Sequence, residues 1–543
     1  MLKFKSLQFL YKDDANDFMA ITSSSLRNDK MELDINTDGD FFSVYIKAND
    51  TITIQKLCAE FEYEFSDGEK IFLNGYQSWT DSIEHDIDDK MRGICHIPSA
   101  IRDKYAFSQY GDYNFSEYGD DMHGWSYGYI RTEELYSFIG SLAENTGFTQ
   151  IITQVDKGLI SLKKDCADLD ISGEWCAMKL ILTEGSENEV FDRYFSALGI
   201  KPRENAKPIF GYTSWYNHYQ NINENTVTDD LNGINALTCK ADVFQIDDGW
   251  QTAVGDWLSV DMEKFPDGMK KIADRIRSTG LIPGIWLAPF VCEEKSELFH
   301  NNKHWLIGSE NDGYVRGGSN WSGFYALDIN NPEVREYIRF VIETIVNEWG
   351  YKLLKLDFLY AACIVPRNDK TRGQLMAEAM DFLRECAGDA LILACGVPLA
   401  SAFGKADYCR IGCDVTLDWN DKPHMRLMHR ERVSTKNSIL NTVFRRQLNG
   451  RAFLSDPDVF LLRPCNNSLS DKQKKCLAEV NALMGSVLFT SDNFYDYGEA
   501  ETKEISKILK IRNPEIISAD LEDDILTLKF SIDNKKYIKR YSI

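Results

Sequence analysis

Between residues 208 and 490, eight short apolar runs recur with helical segments between them, at 208–215, 241–247, 282–289, 352–357, 391–396, 407–414, 452–456 and 486–490. One unit shows the logic. Phe265-Pro266-Asp267-Gly268 makes a turn, Met269, Ile272 and Ile276 form a helical stripe, Gly280 stops it, and Leu281 to Leu287 reads as the next strand. Another helix starts with Asn331 as its cap and Pro332 at its first position. Eight strands alternating with helices predict an α/β fold, a (β/α)8 TIM barrel. The longer gap between the third and fourth runs predicts an insertion on the rim.

The flanks differ. Residues 1 to about 185 carry alternating runs such as Phe41-Phe42-Ser43-Val44-Tyr45-Ile46-Lys47, separated by turns rich in Asp, Asn, Ser and Gly, which predicts an N-terminal β-sandwich domain over 1–185. A helical linker is expected over 186–207 and the barrel over 208–492. Alternation returns in Ile525-Leu526-Thr527-Leu528-Lys529-Phe530, predicting a small C-terminal β domain over 493–543. Two or three domains also follow from length, since 543 residues exceed the roughly 250–300 at which single cores stop growing.

Composition excludes some partners. With 84 acidic and 61 basic residues the formal charge is −23, which repels phosphate backbones and anionic membranes, so neither nucleic acid nor membrane is expected. The N-terminus meets charge before any apolar run reaches the roughly 7–15 residues of a signal peptide. Thirteen cysteines, many of them inside apolar strands, suit buried thiols in a reducing compartment; the expectation is cytoplasmic. No CxxC or HExxH motif supports a zinc site.

In such barrels the chemistry sits at the C-terminal ends of the strands. The exits here carry Trp215, Asp247-Asp248-Gly249-Trp250, Trp286, Asp357, Cys395-Gly396, Arg410 with Asp414, and Asp456 with Asp458. Carboxylates beside tryptophans suit a sugar pocket, because acids accept bonds from hydroxyls while indole covers the apolar face of a pyranose. Two of the acids can form a catalytic pair. A double-displacement glycosidase needs one ionised carboxylate to attack the anomeric carbon and one protonated carboxyl to release the leaving oxygen. Period 2 puts Lys355 on the face of Asp357, where its charge is expected to depress the carboxyl pKa, so Asp357 is the expected nucleophile. Asp414, on the face of Arg410, is the expected acid and base. Helix capping is the plain alternative for either aspartate.

Taken in order, Asn74-Gly75-Tyr76-Gln77-Ser78-Trp79, Ser214-Trp215-Tyr216, Gln245-Ile246-Asp247-Asp248-Gly249-Trp250, Gly284-Ile285-Trp286-Leu287-Ala288-Pro289, Lys355-Leu356-Asp357, Cys395-Gly396-Val397-Pro398 and Arg410-Ile411-Gly412-Cys413-Asp414 resemble family 36 of the glycoside hydrolases, the α-galactosidases and α-N-acetylgalactosaminidases. The resemblance implies an N-terminal supersandwich, a catalytic barrel and a C-terminal β domain, with no metal or nucleotide cofactor. It also implies a retaining exo-α-galactosidase that releases terminal α-linked galactose from oligosaccharides. By that likeness Asp357 is the nucleophile and Asp414 the acid/base. Asp247 and Asp248 hold the axial 4-hydroxyl and the 6-hydroxyl, Lys355 and Arg410 meet ring hydroxyls, and Trp215, Trp286 and Cys395 wall the pocket. Trp79 is lent to the site by the sandwich. Alternatives on the same scaffold are an α-N-acetylgalactosaminidase, a β-L-arabinopyranosidase and a raffinose-type transglycosidase. A non-catalytic sugar-binding protein would be favoured only if either acid were missing. A metal-dependent isomerase finds no histidine at a strand exit except near His218, and an NAD-dependent glycosidase finds no GxGxxG. A homo-oligomer is compatible with the sequence.

Overall fold

A computed structural model describes residues 2–13, 17–91, 97–105, 121–237, 239–423, 425 and 430–543. Its centre is a closed parallel barrel. The strands are β1 (Ile209–Thr213), β2 (Val243–Ile246), β3 (Ile282–Leu287), β4 (Leu353–Leu356), β5 (Leu391–Ala394), β6 (Tyr408–Arg410), β7 (Leu454–Asp456, continued by Val459–Phe460) and β8 (Val487–Thr490). Each pairs with its neighbour in chain order, and β8 pairs back onto β1. The seventh strand closes the ring by breaking in two: its first half pairs with β6 and its second with β8. Pro457 and Asp458 form the break, with Asp458 at φ +75°. Proline has no N–H to give to a ladder, so a strand that must switch partners can place it at the switch.

The strands are continuous apolar runs because helices cover the barrel's outer face. The helix Gly268–Ser278 buries Met269, Ile272, Ala273 and Ile276, the expected stripe plus one alanine. Pro332 opens the helix Pro332–Glu343, and the Asn331 side chain accepts from Glu333 N. Between β3 and β4 lies the expected rim insertion, a three-stranded sheet of Val291–Glu293, Arg316–Gly318 and Phe324–Ala326.

Before the barrel stands a 13-stranded sheet organised on the long strand Phe41–Glu62, which pairs with Lys3–Lys12, Met31–Asp38, Leu159–Lys164 and Leu169–Gly185. It has its own core of Leu33, Val44, Ile54, Leu162 and similar residues. A second set, including Phe72, Tyr127, Phe138, Phe191 and Tyr194, joins the barrel core instead, so the two bodies share apolar surface. The helix Glu187–Leu198, with a Ser186/Glu189 capping box and Gly199 in the left-handed region, leads from one to the other. After β8 come the helix Glu499–Lys510 and an antiparallel sheet of Glu515–Glu522, Ile525–Ile532 and Lys535–Ser542.

Arg445 secures the seam that matters most for the site. Fully buried, it donates to Asn74 Oδ1, to the carbonyls of Gly75, Gln77 and Ser78, and to Ile411 O on the exit of β6. Hydrogen bonds from a charged group contribute about 1.5–3 kcal/mol each, so one side chain pins the 74–79 loop to the barrel rim. Ser78 N donates to Val397 O on the other side of that loop.

Candidate active site

The 74–79 loop brings Trp79 over the exit of β5. Its indole N–H reaches Cys395 Sγ at 3.4 Å, and its ring meets Phe358 and Tyr360 edge-on. Gly396, at φ +58°, makes the seat: a Cβ there would lie 2.9 Å from the Trp79 ring. Trp79 thus packs on the seam between sheet and barrel and stands beside the acid of β4.

That acid is Asp357, directly after β4 and buried. Trp286, paired in register with Lys355, donates its indole N–H to Asp357 Oδ2 at 3.0 Å, and Phe358 N donates to Oδ1 at 2.9 Å. Phe358 is held at φ +53°, a costly conformation for a bulky residue, and its ring is turned against Trp79 and Trp321.

The expected effect of Lys355 on this acid needs correcting. Burial pushes the Asp357 carboxyl above the usual range; Lys355 and the Trp286 bond pull it down, Asp414 pushes it up again, and the net direction is upward. Lys355 spends its ion pair elsewhere, on Asp247 Oδ2 at 2.8 Å. A lysine two residues from an acid on one strand face can reach across the barrel mouth, and here it passes β3 to meet the acid that follows β2. Burial opposes the charge of Lys355, yet Asp247 and Asp357 together hold its ammonium above the ordinary lysine range.

Asp247 and Asp248 leave β2 together, both buried. Besides Lys355, Asp247 accepts from Gln245 Nε2 at 3.0 Å and Thr213 Oγ1 at 3.3 Å on Oδ2, and from Asp248 N on Oδ1. Burial works against its charge, but Lys355 and Gln245 carry it below the usual carboxyl range. Among the described residues no cation pairs with Asp248. It accepts from Gln251, Gln220 and the Trp321 indole at 2.6, 2.8 and 2.8 Å, and burial leaves it above the usual range. Gln220, Gln251 and Trp321 escape a reading of strand exits. Trp321 lies in the rim insertion, and its only sequence signal is an aromatic inside the turn Asn320-Trp321-Ser322-Gly323.

Asp414 is not at a strand end. β6 stops at Arg410, and Asp414 follows in the turn, its side chain 47% exposed against 2% for Arg410. Strand parity therefore does not relate the two; the bond does. Arg410 Nη1 donates to Asp414 Oδ1 at 2.9 Å, Nη2 to Asp458 Oδ1 at 2.7 Å, and Nε faces Asp456 Oδ2 at 3.5 Å. Every nitrogen of this guanidinium thus faces an acid. Trp215 opens the short helix after β1, and its ring meets Tyr219 edge-on.

On this rim one buried acid, Asp357, faces a half-exposed one, Asp414, closely enough for their charges to interact, with the pair Asp247/Asp248 alongside. Such an arrangement can attack a buried electrophilic carbon and protonate a departing oxygen near solvent. Among the described residues no cluster of three His, Cys, Asp or Glu side chains is arranged to hold a metal.

The chain is similar to known proteins in part of its sequence and in its fold. The family model described as Melibiase matches residues 191–377. The α-galactosidase of Escherichia coli is 28% identical over 144 residues, 25% of this chain and 19% of that protein. The α-galactosidase AgaA of Geobacillus stearothermophilus is 28% identical over 152 residues, 27% of this chain and 19% of that protein. The matched stretches thus span about a fifth of the length of these curated relatives. Over nearly the whole length, the α-galactosidase of Thermus thermophilus, solved with p-nitrophenyl α-D-galactopyranoside, superposes with a TM-score of 0.74 at 27% identity, covering 95% of this chain and 98% of that one. The Geobacillus enzyme, a family 36 structure, shares the fold at 12% identity, with a TM-score of 0.61 over 98% of this chain and 78% of its own.

Proposed function

From a melibiase segment at 191–377 and a likeness to family 36 glycoside hydrolases along the chain, we propose that this protein is a retaining exo-α-galactosidase acting on terminal α-linked galactose in oligosaccharides. The observation that carries this reading is the pairing of Asp357 and Asp414 on one rim, beside the clamped acids Asp247 and Asp248.

In the first step the Asp357 carboxylate attacks the anomeric carbon while Asp414 gives its proton to the leaving oxygen. The bond to the aglycone breaks and a galactosyl ester forms. In the second step Asp414 takes a proton from water, whose oxygen displaces Asp357. Burial suits the nucleophile, since the sugar replaces water around it, and half-exposure suits the acid, which must meet both aglycone and water. Trp286 holds Asp357 by a directed N–H bond, and Lys355 offsets part of the charge that burial makes costly. Every cysteine among the described residues is a free thiol, which supports a reducing, cytoplasmic setting.

A panel of nitrophenyl glycosides tests the reading. The α-galactoside should be hydrolysed fastest, with α-galactose as the first-formed anomer by proton NMR. Faster turnover of the α-N-acetylgalactosaminide or the β-L-arabinopyranoside would reassign the substrate, and a β-first product would replace retention by inversion. Transfer to sucrose outrunning hydrolysis would make the protein a transglycosidase.

Trp321 gives a second expected result. Trp321→Phe keeps an aromatic ring but removes a donor to the buried Asp248 carboxylate, where such a bond contributes about 1.5–3 kcal/mol. kcat/KM for the α-galactoside should fall about 10- to 100-fold, and the melting temperature should fall as well, because the same bond holds Asp248 in the free protein. An unchanged kcat/KM would remove Trp321 from the site.

A further inference from the structure

Arg410 is surrounded by three carboxyls: Asp414 on one arm of the fork, Asp458 on the other and Asp456 at Nε. Three acids crowd one guanidinium, and Lys355 is the other cation whose charge acts on Arg410, so the acids compete for a limited positive charge. The three are not equivalent. Asp458, fully buried at the break in β7, accepts from Arg410, from Val415 N at 2.7 Å and from the Tyr216 hydroxyl. Asp456 accepts from Asp458 N at 2.9 Å and, at greater length, from Arg410. Asp414, half exposed, has Arg410 as its one side-chain partner among the described residues.

We propose that Asp458 is a positioning residue for the acid/base: bridged to Asp414 by the Arg410 fork, it shares one proton with it and keeps that proton at the mouth of the site until a leaving oxygen takes it. This rests on the reading of Asp414 as acid/base. A guanidinium bonded to Asp414 alone would favour its ionised form and spoil it as an acid; a second carboxylate on the same guanidinium cancels that attraction. Burial raises the Asp458 carboxyl, Arg410 and the Tyr216 bond lower it, Asp414 and Asp456 raise it again, and the net is a carboxyl pushed up to about 7. The other groups facing the trio are Tyr216 from the exit of β1, the Cys413 thiol and, across the mouth, Asp357 with Cys395. Burial raises Tyr216, Cys413 and Cys395 above their ordinary values, so they stay neutral and leave the balance to the acids, Arg410 and Lys355, whose charge acts on Arg410 from β4.

The test is the pH profile of kcat/KM for Asp458→Asn on two substrates, methyl α-galactoside, whose leaving group needs a proton, and 2,4-dinitrophenyl α-galactoside, whose leaving group does not. Without the second charge the proton is lost earlier, so the basic limb for the methyl glycoside should move down by about one pH unit or more. At pH 7.5 the methyl glycoside should lose at least about tenfold more activity than the dinitrophenyl one. A limb that stays in place, or equal losses on both substrates, overturns the proposal. Tyr216→Phe tests it with the opposite sign: with one donor fewer on Asp458 the proton is held more tightly, and the limb should move up. This variant decides the matter should Asp458→Asn fail to fold, and a limb that is unmoved or lowered overturns the proposal. If the unaltered protein turns over no α-galactoside, the galactosidase reading has failed, which is a separate result.

Discussion

Asp357→Ala should abolish hydrolysis of p-nitrophenyl α-galactoside, with a fall in kcat of roughly 10⁴-fold or more, as expected when a group that makes a covalent bond in the transition state is removed. The variant should still fold. Asp357 is buried and held above the usual carboxyl range by that burial, so ionising it costs the folded state something that alanine does not. Its partners, the Trp286 indole and Phe358 N, are left beside a cavity that solvent or a small anion can enter. Added azide should therefore restore turnover by attacking the anomeric carbon from the side Asp357 vacates, and the product should be β-galactosyl azide. In Asp414→Ala the nucleophile is intact, so azide should attack the galactosyl ester instead and give the α-galactosyl azide. Chromatography and NMR separate the two anomers; finding them interchanged between the variants would exchange the roles of the two acids.

The second large effect concerns carbon 4. α-Glucosides, which differ from α-galactosides only in that hydroxyl, should be turned over at least ~100-fold more slowly, because a buried acceptor left without its donor costs roughly 1–3 kcal/mol and the misplaced hydroxyl adds a clash. The way the two acids are held supports so sharp a discrimination on the proposed reading. Asp247 cannot swing to follow an equatorial hydroxyl, since Lys355, Gln245 and Thr213 occupy Oδ2 and Asp248 N occupies Oδ1. Asp248 is fixed by three further donors from Gln220, Gln251 and Trp321. Rigid acceptors select by position, whereas loosely held ones adapt. Matched p-nitrophenyl glycosides measure the ratio of kcat/KM directly, and similar values for the two sugars would remove this pair from the recognition of the 4-hydroxyl.

With Asp357 as the proposed nucleophile, its raised carboxyl should set the acid side of the pH profile. Its pKa in the folded protein lies above the ordinary aspartate value, so the ionised nucleophile is lost as pH falls through a value higher than that of a free aspartate. The sequence-based expectation had the opposite sign, and the difference is instructive. Lys355 does lower the Asp357 carboxyl, as its position on the strand implies, but desolvation acts on the same group and is larger. Burial is not a property of two residues on one strand; it is produced by everything packed over them, here Trp79, Trp286 and the 74–79 loop that Arg445 ties down.

What the chain's order of residues determined by itself is the barrel and the ring of exits. Eight apolar runs have few other ways to bury themselves, helices between parallel strands leave one hand of connection, and the C-terminal rim follows from that geometry. Asp247, Asp248, Asp357 and Trp286 were legible because each sits in or immediately after a strand, where period and position agree. Tertiary structure decided the rest. Trp321 reaches Asp248 from an insertion whose path no local pattern encodes, and Arg445 reaches five acceptors, four of them more than 360 residues earlier in the chain. Asp458 joins Asp414 only because β7 breaks at Pro457 and sends its two halves to different neighbours. Local periodicity records which face of an element is buried. Which charges meet across that face, and whether burial or a partner governs a proton, depends on contacts between segments far apart in the chain.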